Sequence, residues 1–162
     1  MSKDSLKIYY HRGSGFALPA PRTWRMQEDP QDKVAVAMVA PPNGDDFRPN
    51  LVVTVDDLEP AQTLEPWQEF VESKMAEVLD CYMLLDTELL ENGGFPVFRR
   101  LGHHLNADGV ALTMQQWATV RGSRGYTLTT TASTMEVLRT AALFGVIAKG
   151  FSTDEDTSGA DR

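Results

Sequence analysis

The side chains that most often carry metal or acid–base chemistry are few in this chain. It contains three histidines and one cysteine. His103 and His104 are neighbours in a predicted strand, so their side chains point to opposite faces and cannot bind one metal ion together. Cys81 follows a predicted helix and has no basic neighbour in the sequence, so the pattern does not indicate a nucleophile. We therefore expect no catalytic residue, no metal and no cofactor, and we predict that the protein is not an enzyme.

A second group of side chains suits recognition better than catalysis, and it lies between residues 95 and 132. Three segments of alternating apolar and polar residues are joined there by turn sequences at residues 106–109 and 122–124. This pattern is typical of a three-stranded antiparallel meander. One predicted face is apolar and carries Val97, Leu101, Leu112, Met114, Ala118, Val120, Tyr126 and Leu128. The other is polar and carries Phe98, Arg100, His104, Thr113, Gln115, Trp117, Thr119, Thr127, Thr129 and Thr131.

The register of the second hairpin in this meander is predicted from the consistency of its faces. A slip of one residue moves every side chain of a strand to the opposite face. Placing Val120 opposite Tyr126 brings apolar residues opposite apolar ones, and it places Trp117 across from Thr129. We therefore predict this register, with residues 122–124 in the turn.

The register of the first hairpin decides which residues lie beside Trp117. A two-residue turn at residues 108–109 is the strongest local signal, and it places Arg100 across from Trp117. A four-residue loop would instead place Phe98 across from Trp117. Both registers gather Phe98, Arg100 and Trp117 into one predicted partner-binding patch, where a cation–π contact would be worth about 0.5–1 kcal/mol if exposed. Two interpretations stay open: a helix covers these residues as ordinary core, or they form a partly open cleft or partner surface.

The sequence Phe47-Arg48-Pro49-Asn50 is a second candidate for partner binding. Pro49 disfavours helical geometry at Arg48, and Asn50 can close a turn through its side-chain amide. The pattern favours a structural turn that leads into a strand. The alternative is an exposed pair, Phe47 and Arg48, that contacts a partner.

The elements that must position these residues are strands and two helices. Besides the meander, strands are predicted over residues 6–10, 16–18, 34–40, 51–55 and 82–90. A helix is predicted over residues 64–79, with Thr63 as its N-cap. Its apolar stripe is Trp67, Phe70, Val71, Met75, Val78 and Leu79. A closing helix begins near Ser133, in a capping box with Glu136, and ends at Gly150. Its predicted buried side is Val137, Leu138, Ala141, Ala142, Phe144, Gly145, Ile147 and Ala148.

This order of elements predicts an α+β fold, with a mainly antiparallel β-sheet flanked by two principal α-helices. We expect residues 1–152 to form a single domain. Residues 153–162 are predicted to be a disordered acidic tail, because they contain no apolar residue larger than Ala with which to build a core.

Composition excludes several classes of function. The 162 residues carry a formal net charge of −8, which repels a phosphate backbone, so nucleic-acid binding is not expected. No run approaches the roughly 20 apolar residues that a membrane span needs. A single cysteine cannot form an intrachain disulfide, and the first seven residues lack the long apolar run of a signal peptide. We therefore expect a cytoplasmic protein.

Short motifs between residues 47 and 151 resemble those of a known group. They are Phe47-x-Pro49-Asn50 before the strand at 51–55, Gly93-Gly94-Phe95-Pro96, Gln115-Gln116-Trp117, Tyr126-Thr127-Leu128-Thr129 and the stretch from Phe144 to Phe151. The chain resembles the LpqN/LpqT lipoprotein group of actinobacteria and, more distantly, DcrB-type domains, which share the PsbP-like fold. The resemblance implies a sheet flanked by helices without shared catalytic residues. The chain lacks the signal peptide and lipobox cysteine of those lipoproteins, which favours a cytoplasmic relative.

These observations together predict a non-enzymatic protein-binding domain. The resemblance implies an adaptor or chaperone linked to secretion, which acts on a protein partner or by self-association as a homodimer. The alternative is a carrier of a small apolar ligand, with its pocket between the sheet and a helix.

Overall fold

The computed structural model describes residues 5–44 and 47–154, and within these ranges the chain forms ten strands and two α-helices. In chain order the elements are β1 (Leu6–His11), β2 (Phe16–Pro21), β3 (Arg25–Gln31), β4 (Val34–Val39), β5 (Asn50–Asp57), α1 (Leu64–Val78), β6 (Asp80–Asn92), β7 (Phe95–Leu105), β8 (Ala111–Arg121), β9 (Arg124–Ser133), α2 (Val137–Lys149) and β10 (Ser152–Thr153). A short 3-10 helix, Thr134–Glu136, precedes α2. The predicted α+β class is confirmed.

The strands form two antiparallel sheets. The larger has seven strands in the order β3-β4-β5-β9-β8-β7-β6, and the smaller has three in the order β1-β2-β10. Helix α1 contacts β6, β7 and β8, whereas α2 contacts β2 and β9. The small sheet and α2 therefore lie on one face of the large sheet, and α1 lies on the other.

The main hydrophobic core fills the space between the large sheet, the small sheet and α2. Phe16 lies at its centre and stacks with Phe151 at 5.6 Å between ring centroids. The fully buried members are Phe16, Leu18, Val36, Leu51, Val53 and Ile147. Helix α1 covers the opposite face of the large sheet, where Arg100 and Gln116 are buried beside Met114 and Ala118.

The predicted registers of the meander are each wrong by one residue. Strand β8 pairs with β9 so that Trp117 lies opposite Leu128 and Thr119 lies opposite Tyr126. Directly opposed residues in an antiparallel pair project from the same face. Trp117 therefore shares a face with Leu128 and packs against the main core. The polar face predicted for β8 is the face that points to the core.

The two loops of the meander explain the error. Between β8 and β9 the loop has two residues, Gly122 and Ser123, and Gly122 adopts a left-handed φ of 59°. A two-residue hairpin favours such backbone geometry, which glycine adopts without strain. The predicted three-residue turn is therefore one residue too long, and the slip reverses the facing of β8.

The loop between β7 and β8 has five residues, from 106 to 110. The side-chain Oδ1 of Asn106 accepts hydrogen bonds from the backbone N–H groups of Asp108 at 3.0 Å and Val110 at 2.9 Å. Gly109, and not Asp108, takes the left-handed conformation. The Asn106 side chain thus closes a longer loop than Asp108-Gly109 alone predicts, and Arg100 pairs with Gln116 while Arg99 pairs with Trp117.

The helices begin and end close to the predicted positions, but their buried faces differ from those expected. In α1 the structure buries Gln68, whereas Phe70 and Val78, predicted to be in the apolar stripe, are 60% and 72% exposed. In α2, Leu138 is 90% exposed and Thr140 is buried instead. The predicted caps Thr63 and Ser133 make no side-chain capping hydrogen bond.

The C-terminal boundary of the folded unit lies beyond the predicted one. Strand β10 pairs with β2, and Thr153 lies opposite Phe16 and is buried. Tyr10 donates a hydrogen bond to the Asp154 carboxylate at 3.1 Å. Residues 153 and 154 are therefore not part of a disordered tail. The remainder of the predicted tail, residues 155–162, lies outside the described residues, as do residues 1–4 of the predicted domain.

Candidate functional site

Arg100 anchors a buried polar network between α1 and the large sheet. Its side chain is only 1% exposed. One guanidinium nitrogen, Nη1, donates to Oε1 of Gln68 and to Oε1 of Gln116, both at 2.9 Å. The other, Nη2, donates to the backbone carbonyl of Gln68 at 3.0 Å. Gln116 in turn donates to the Thr129 hydroxyl at 3.0 Å. The network joins α1 to three neighbouring strands.

Glu72 carries the negative charge that balances Arg100. The distance from its Oε2 to Nε of Arg100 is 2.7 Å, and the Tyr82 hydroxyl donates to the same carboxylate at 2.8 Å. Burial, and then the hydrogen bond to Glu72, raise the pKa of Tyr82 well above its usual range. The Tyr82 ring lies on Gly102, where an added Cβ would be 3.0 Å from Cε1 of the ring. Tyr82 thus attaches the start of β6 to α1.

The free energy of unfolding of the wild type should fall at high pH, in part because Tyr82 ionises. We expect Tyr82→Phe to lack this part of the fall. Because the pKa of Tyr82 is raised in the folded state, its contribution is complete below the unfolded value of about 10 and is lost as pH rises toward the folded value. Urea unfolding of both proteins, near neutral pH and above pH 10, measures this contribution. The free-energy difference between wild type and Tyr82→Phe should shrink at the higher pH.

The pKa of Tyr9 is also raised, first by burial and then by its hydrogen bond to Glu28. Tyr9 is present in both proteins, so its titration cancels in the comparison. Equal free-energy differences at the two pH values would contradict the role given to Tyr82.

The structure separates the residues of the predicted patch. Phe98 and Arg100 stay together on the α1 face, with the guanidinium carbon 5.2 Å from the centroid of the Phe98 ring. Trp117 projects from the opposite face into the main core. Arg100 is enclosed by α1, and Phe98 is half-buried at the margin of the helix. For Arg100 the first of the two interpretations therefore applies, since a helix covers it, whereas Phe98 is partly exposed.

Phe47 and Arg48 lie away from this face of β7. They precede β5, and strands β9 and β8 lie between β5 and β7. Nε of Arg48 donates to the backbone carbonyl of Ala40 at 2.7 Å, and Asn50 donates from its side-chain amide to the carbonyl of Arg48 at 3.3 Å. Both Phe47 and Arg48 are half-buried. The chain bends at Phe47 and enters β5 at Asn50, as the structural interpretation of this sequence expects, and binding of a partner there stays a prediction.

The most exposed apolar element is strand β6, which sequence analysis predicts as a strand but does not single out. It has 13 residues and forms one edge of the large sheet. Of these, only Tyr82 and Asn92 are even half-buried. The exposed aliphatic side chains are Met83, Leu84, Leu85, Leu89 and Leu90, each between 37% and 59% exposed. The apolar repeat Leu84-Leu85 and Leu89-Leu90 is visible in the sequence, but its exposure depends on the order of strands.

The opposite edge of the sheet, β3, is protected in the ways that edge strands usually are. It contains Pro30 and has an irregular register with β4 between Glu28 and Gln31. Proline and bulges both discourage another strand from adding to an edge. Strand β6 contains no proline. Its register with β7 shifts between residues 80 and 83 and between residues 84 and 86, but it is unbroken from residue 86 to residue 92. The two edges therefore differ in their capacity to pair with a further strand.

A groove runs beside β6, between this strand and α1. We call it the α1–β6 groove, and its volume is about 320 Å³. It is lined by Glu65, Gln68, Glu69, Glu72, Leu84, Thr87, Phe98 and Arg100. Leu84 and Phe98 contribute apolar surface, and the glutamates of α1 form one wall. An apolar floor with an acidic wall suits the side chains of a protein partner.

A larger polar cavity of about 770 Å³ lies at the other end of the molecule, near Ser14, Asp29 and Lys33. His11 is the histidine nearest to it, and its Nδ1 accepts a hydrogen bond from the backbone N–H of Ser14 at 3.0 Å. Nδ1 is therefore unprotonated, and Nε2 donates to Asp29 at 2.9 Å. Both ring nitrogens are occupied by the protein, so His11 has no free nitrogen for acid–base chemistry.

Within residues 5–44 and 47–154, no three side chains of His, Cys, Asp or Glu come close enough to hold a metal ion. Neither α-helix in the described part of the chain has the length and the apolar character that crossing a membrane requires.

No protein-family model matches the chain, and no curated protein matches it in sequence. Solved structures are nevertheless similar over most of its length. CyanoP, the cyanobacterial PsbP from Synechocystis sp. PCC 6803, has a TM-score of 0.73 at 16% identity over 94% of this chain and 95% of its own. LpqN of Mycobacterium tuberculosis, involved in cell envelope biogenesis, has a TM-score of 0.66 at 19% identity over 91% of this chain and 89% of its own. The Ran-binding protein Mog1p of Saccharomyces cerevisiae has a TM-score of 0.63 at 13% identity over 91% of this chain and 95% of its own.

At these identities the similarity shows the fold alone. The predicted PsbP-like fold is confirmed, and LpqN, whose group the sequence motifs resemble, is among the similar structures.

Proposed function

We propose that the protein is a non-enzymatic protein-binding domain whose edge strand β6 pairs with an extended segment of a partner protein. The observation that carries the proposal is the long, exposed edge of β6, which is regular from residue 86 to residue 92, with its five exposed aliphatic side chains. An exposed edge offers a row of backbone donors and acceptors, and peptide recognition by strand addition uses such a row. Side chains on either face of the edge would then contact those of the partner.

The hydrogen-bonding pattern identifies which backbone groups are available. Pro96 has no N–H, so the pair Glu91–Pro96 cannot exchange two hydrogen bonds. Bonded and non-bonded pairs alternate along an antiparallel ladder. The N–H and C=O groups of Thr87, Leu89 and Glu91 therefore point away from β7, toward the open edge.

Charge favours a different protein over a second copy of this chain. Strand β6 contains Asp80, Asp86, Glu88 and Glu91 and no basic residue. Antiparallel pairing of two copies through β6 would bring like charges together across the new ladder, which is unfavourable. Homodimerisation through this edge is therefore the weaker form of the proposal.

A carrier of an apolar ligand fits the structure less well. The space between α1 and the sheet contains the Arg100 network, and the space beneath α2 is filled by the aromatic core. An apolar ligand beside a buried guanidinium would gain no hydrogen bonds and would desolvate a charge.

The similarities to Mog1p, which is named as Ran-binding, and to LpqN, described as involved in cell envelope biogenesis, support partner binding as the function. An adaptor or chaperone linked to secretion is the finer form of this proposal. A cytoplasmic location stays a prediction, which cell fractionation with an antibody to the protein would test.

Strand addition can be tested with peptides selected from a random display library against the purified protein. We expect a selected peptide to slow hydrogen exchange at the amides of Thr87, Leu89 and Glu91, because these gain acceptors on binding. Leu89→Pro should lower the affinity at least about tenfold, since it removes one outward N–H and obstructs the edge. The affinity is measured by fluorescence anisotropy of the labelled peptide.

The matched control is Leu89→Val, which keeps the backbone N–H and an apolar side chain and introduces β-branching, which strands favour. It should retain most of the affinity, and both variants should keep their melting temperature within a few degrees, because no hydrogen bond to β7 is lost. Selected peptides that protect amides elsewhere, and that bind Leu89→Pro as tightly as wild type, would overturn strand addition at β6.

A further inference from the structure

A partner strand on β6 would direct alternate side chains toward the α1–β6 groove. Thr87 and Leu84 belong to β6 and also line the groove. A residue placed opposite Thr87 projects from the same face of the sheet as Thr87, which is the α1 face. Its side chain must cross the width of one strand, about 4.8 Å, to reach α1, so it must be long.

The helix wall of the groove carries more negative charge than the protein balances. Glu65, Glu69 and Glu72 line it, and Arg100 pairs with Glu72 alone. Three carboxylates and one guanidinium leave a formal charge of −2. In the described part of the chain, Glu65 and Glu69 make no ion pair or side-chain hydrogen bond. They are four residues apart on one helix face, where like charges repel, and a cation between them would relieve this repulsion.

A buried and unsatisfied amide in the groove points independently to a ligand. Gln68 is 2% exposed, and its Nε2 has no hydrogen-bond partner among the described residues. The orientation of the amide is determined by its neighbour: Arg100 can only donate, so the atom that it contacts must be Oε1. The remaining NH₂ group therefore needs an acceptor that the described residues do not supply.

From these observations we infer that the α1–β6 groove binds a lysine or arginine side chain of the segment that pairs with β6. The aliphatic part of the side chain packs on Leu84 and Phe98, and the cationic end lies between Glu65 and Glu69. Arg100 does not oppose the cation, because Glu72 neutralises it at 2.7 Å. This inference rests on the proposed pairing at β6 and adds the chemistry that the partner must carry.

The test uses short, capped peptides of alternating Thr and Val in which one central residue is Lys, norleucine or Glu. At low ionic strength we expect the Lys peptide to bind about tenfold more tightly than the norleucine peptide, and the Glu peptide to bind most weakly. High salt should reduce the preference. Binding of the Lys peptide should also shift the side-chain amide resonances of Gln68 in NMR spectra.

The double variant Glu65→Gln/Glu69→Gln should abolish the preference for Lys while leaving the affinity for the norleucine peptide unchanged. The matched control, Glu59→Gln/Glu77→Gln, removes the same charge outside the groove and outside β6, and it should keep the preference. Equal binding of the Lys and norleucine peptides to wild type would overturn the basic side-chain site and leave pairing at β6 intact. If none of the peptides binds, pairing at β6 fails, and this inference fails with it.

Discussion

Arg100→Met is expected to lower the free energy of unfolding by about 3–5 kcal/mol, a large part of the stability of a domain of this size. Methionine replaces the aliphatic part of the arginine side chain but lacks the guanidinium group and donates no hydrogen bond. Glu72 would lose its cationic partner, and the buried Oε1 atoms of Gln68 and Gln116 would lose their donor. Buried acceptors without donors cost about 1–3 kcal/mol each.

Urea unfolding followed by circular dichroism measures this loss. Arg99→Met is the matched control, because Arg99 is the neighbouring residue and pairs with exposed carboxylates of Asp86 at 3.3 Å and Glu88 at 3.6 Å. Exposed ion pairs contribute little, so this variant should lose no more than about 1 kcal/mol. Similar losses for Arg99→Met and Arg100→Met would show that the buried network does not stabilise the fold as proposed.

Gly125→Ala is expected to lower the free energy of unfolding by about 1–3 kcal/mol. Gly125 lies in β9 beneath α1, and an added Cβ would be 2.5 Å from Cη2 and 2.7 Å from Cζ2 of Trp67. Trp67 is buried, and its rigid ring cannot move aside without moving the helix. Trp67 therefore needs a glycine below it in order to hold α1 close to the sheet.

A double-mutant cycle with Trp67→Leu tests this contact. Trp67→Leu alone should be destabilising by about 2–3 kcal/mol, because it leaves a cavity. In that background Gly125→Ala should cost less than in the wild type, since the obstructing ring is gone. An equal cost of Gly125→Ala in both backgrounds would exclude a clash with Trp67 as its cause.

Both variants also bear on the proposed binding site. The α1–β6 groove exists because α1 is held at a particular distance from β6 and β7, by Trp67 at its first turn and by Gln68 and Glu72 further along. A displacement of α1 would change the spacing between the glutamate wall and Phe98. We therefore expect Gly125→Ala to lose the preference for a basic peptide while it keeps strand pairing at β6.

Much of the secondary structure can be predicted from the sequence because it depends on local patterns. Helix α1 begins after Thr63 as predicted, and the three strands of the meander lie in the segments where apolar and polar residues alternate. The exposed Phe70 and the buried Gln68 could not be predicted in the same way. Helical periodicity identifies the apolar stripe of a helix. Helix α1, however, packs on the polar residues around Arg100, and Gln68 is buried because it accepts a hydrogen bond from Arg100.

The predicted patch of Phe98, Arg100 and Trp117 depends partly on local strand geometry and partly on the lengths of two loops. Phe98 and Arg100 are two residues apart on one strand, so their common face follows from strand geometry alone. Trp117 is on another strand, and its facing depends on the number of residues in the loops on either side. Asn106 closes one loop with its side chain and Gly122 tightens the other. Each changes the register by one residue, which is enough to move Trp117 into the core.

The sequence by itself determined the class of fold and the approximate limits of its elements, since these follow from composition and from periodicity within single segments. Only the tertiary structure decided that β6 is an edge, that Arg100 is enclosed, and that Glu65, Glu69 and Phe98 surround one groove. These features depend on pairings between residues far apart in the chain. A difference of one residue in a loop reverses the face from which every side chain of the next strand projects. The residue pattern within that strand does not indicate the length of the loop.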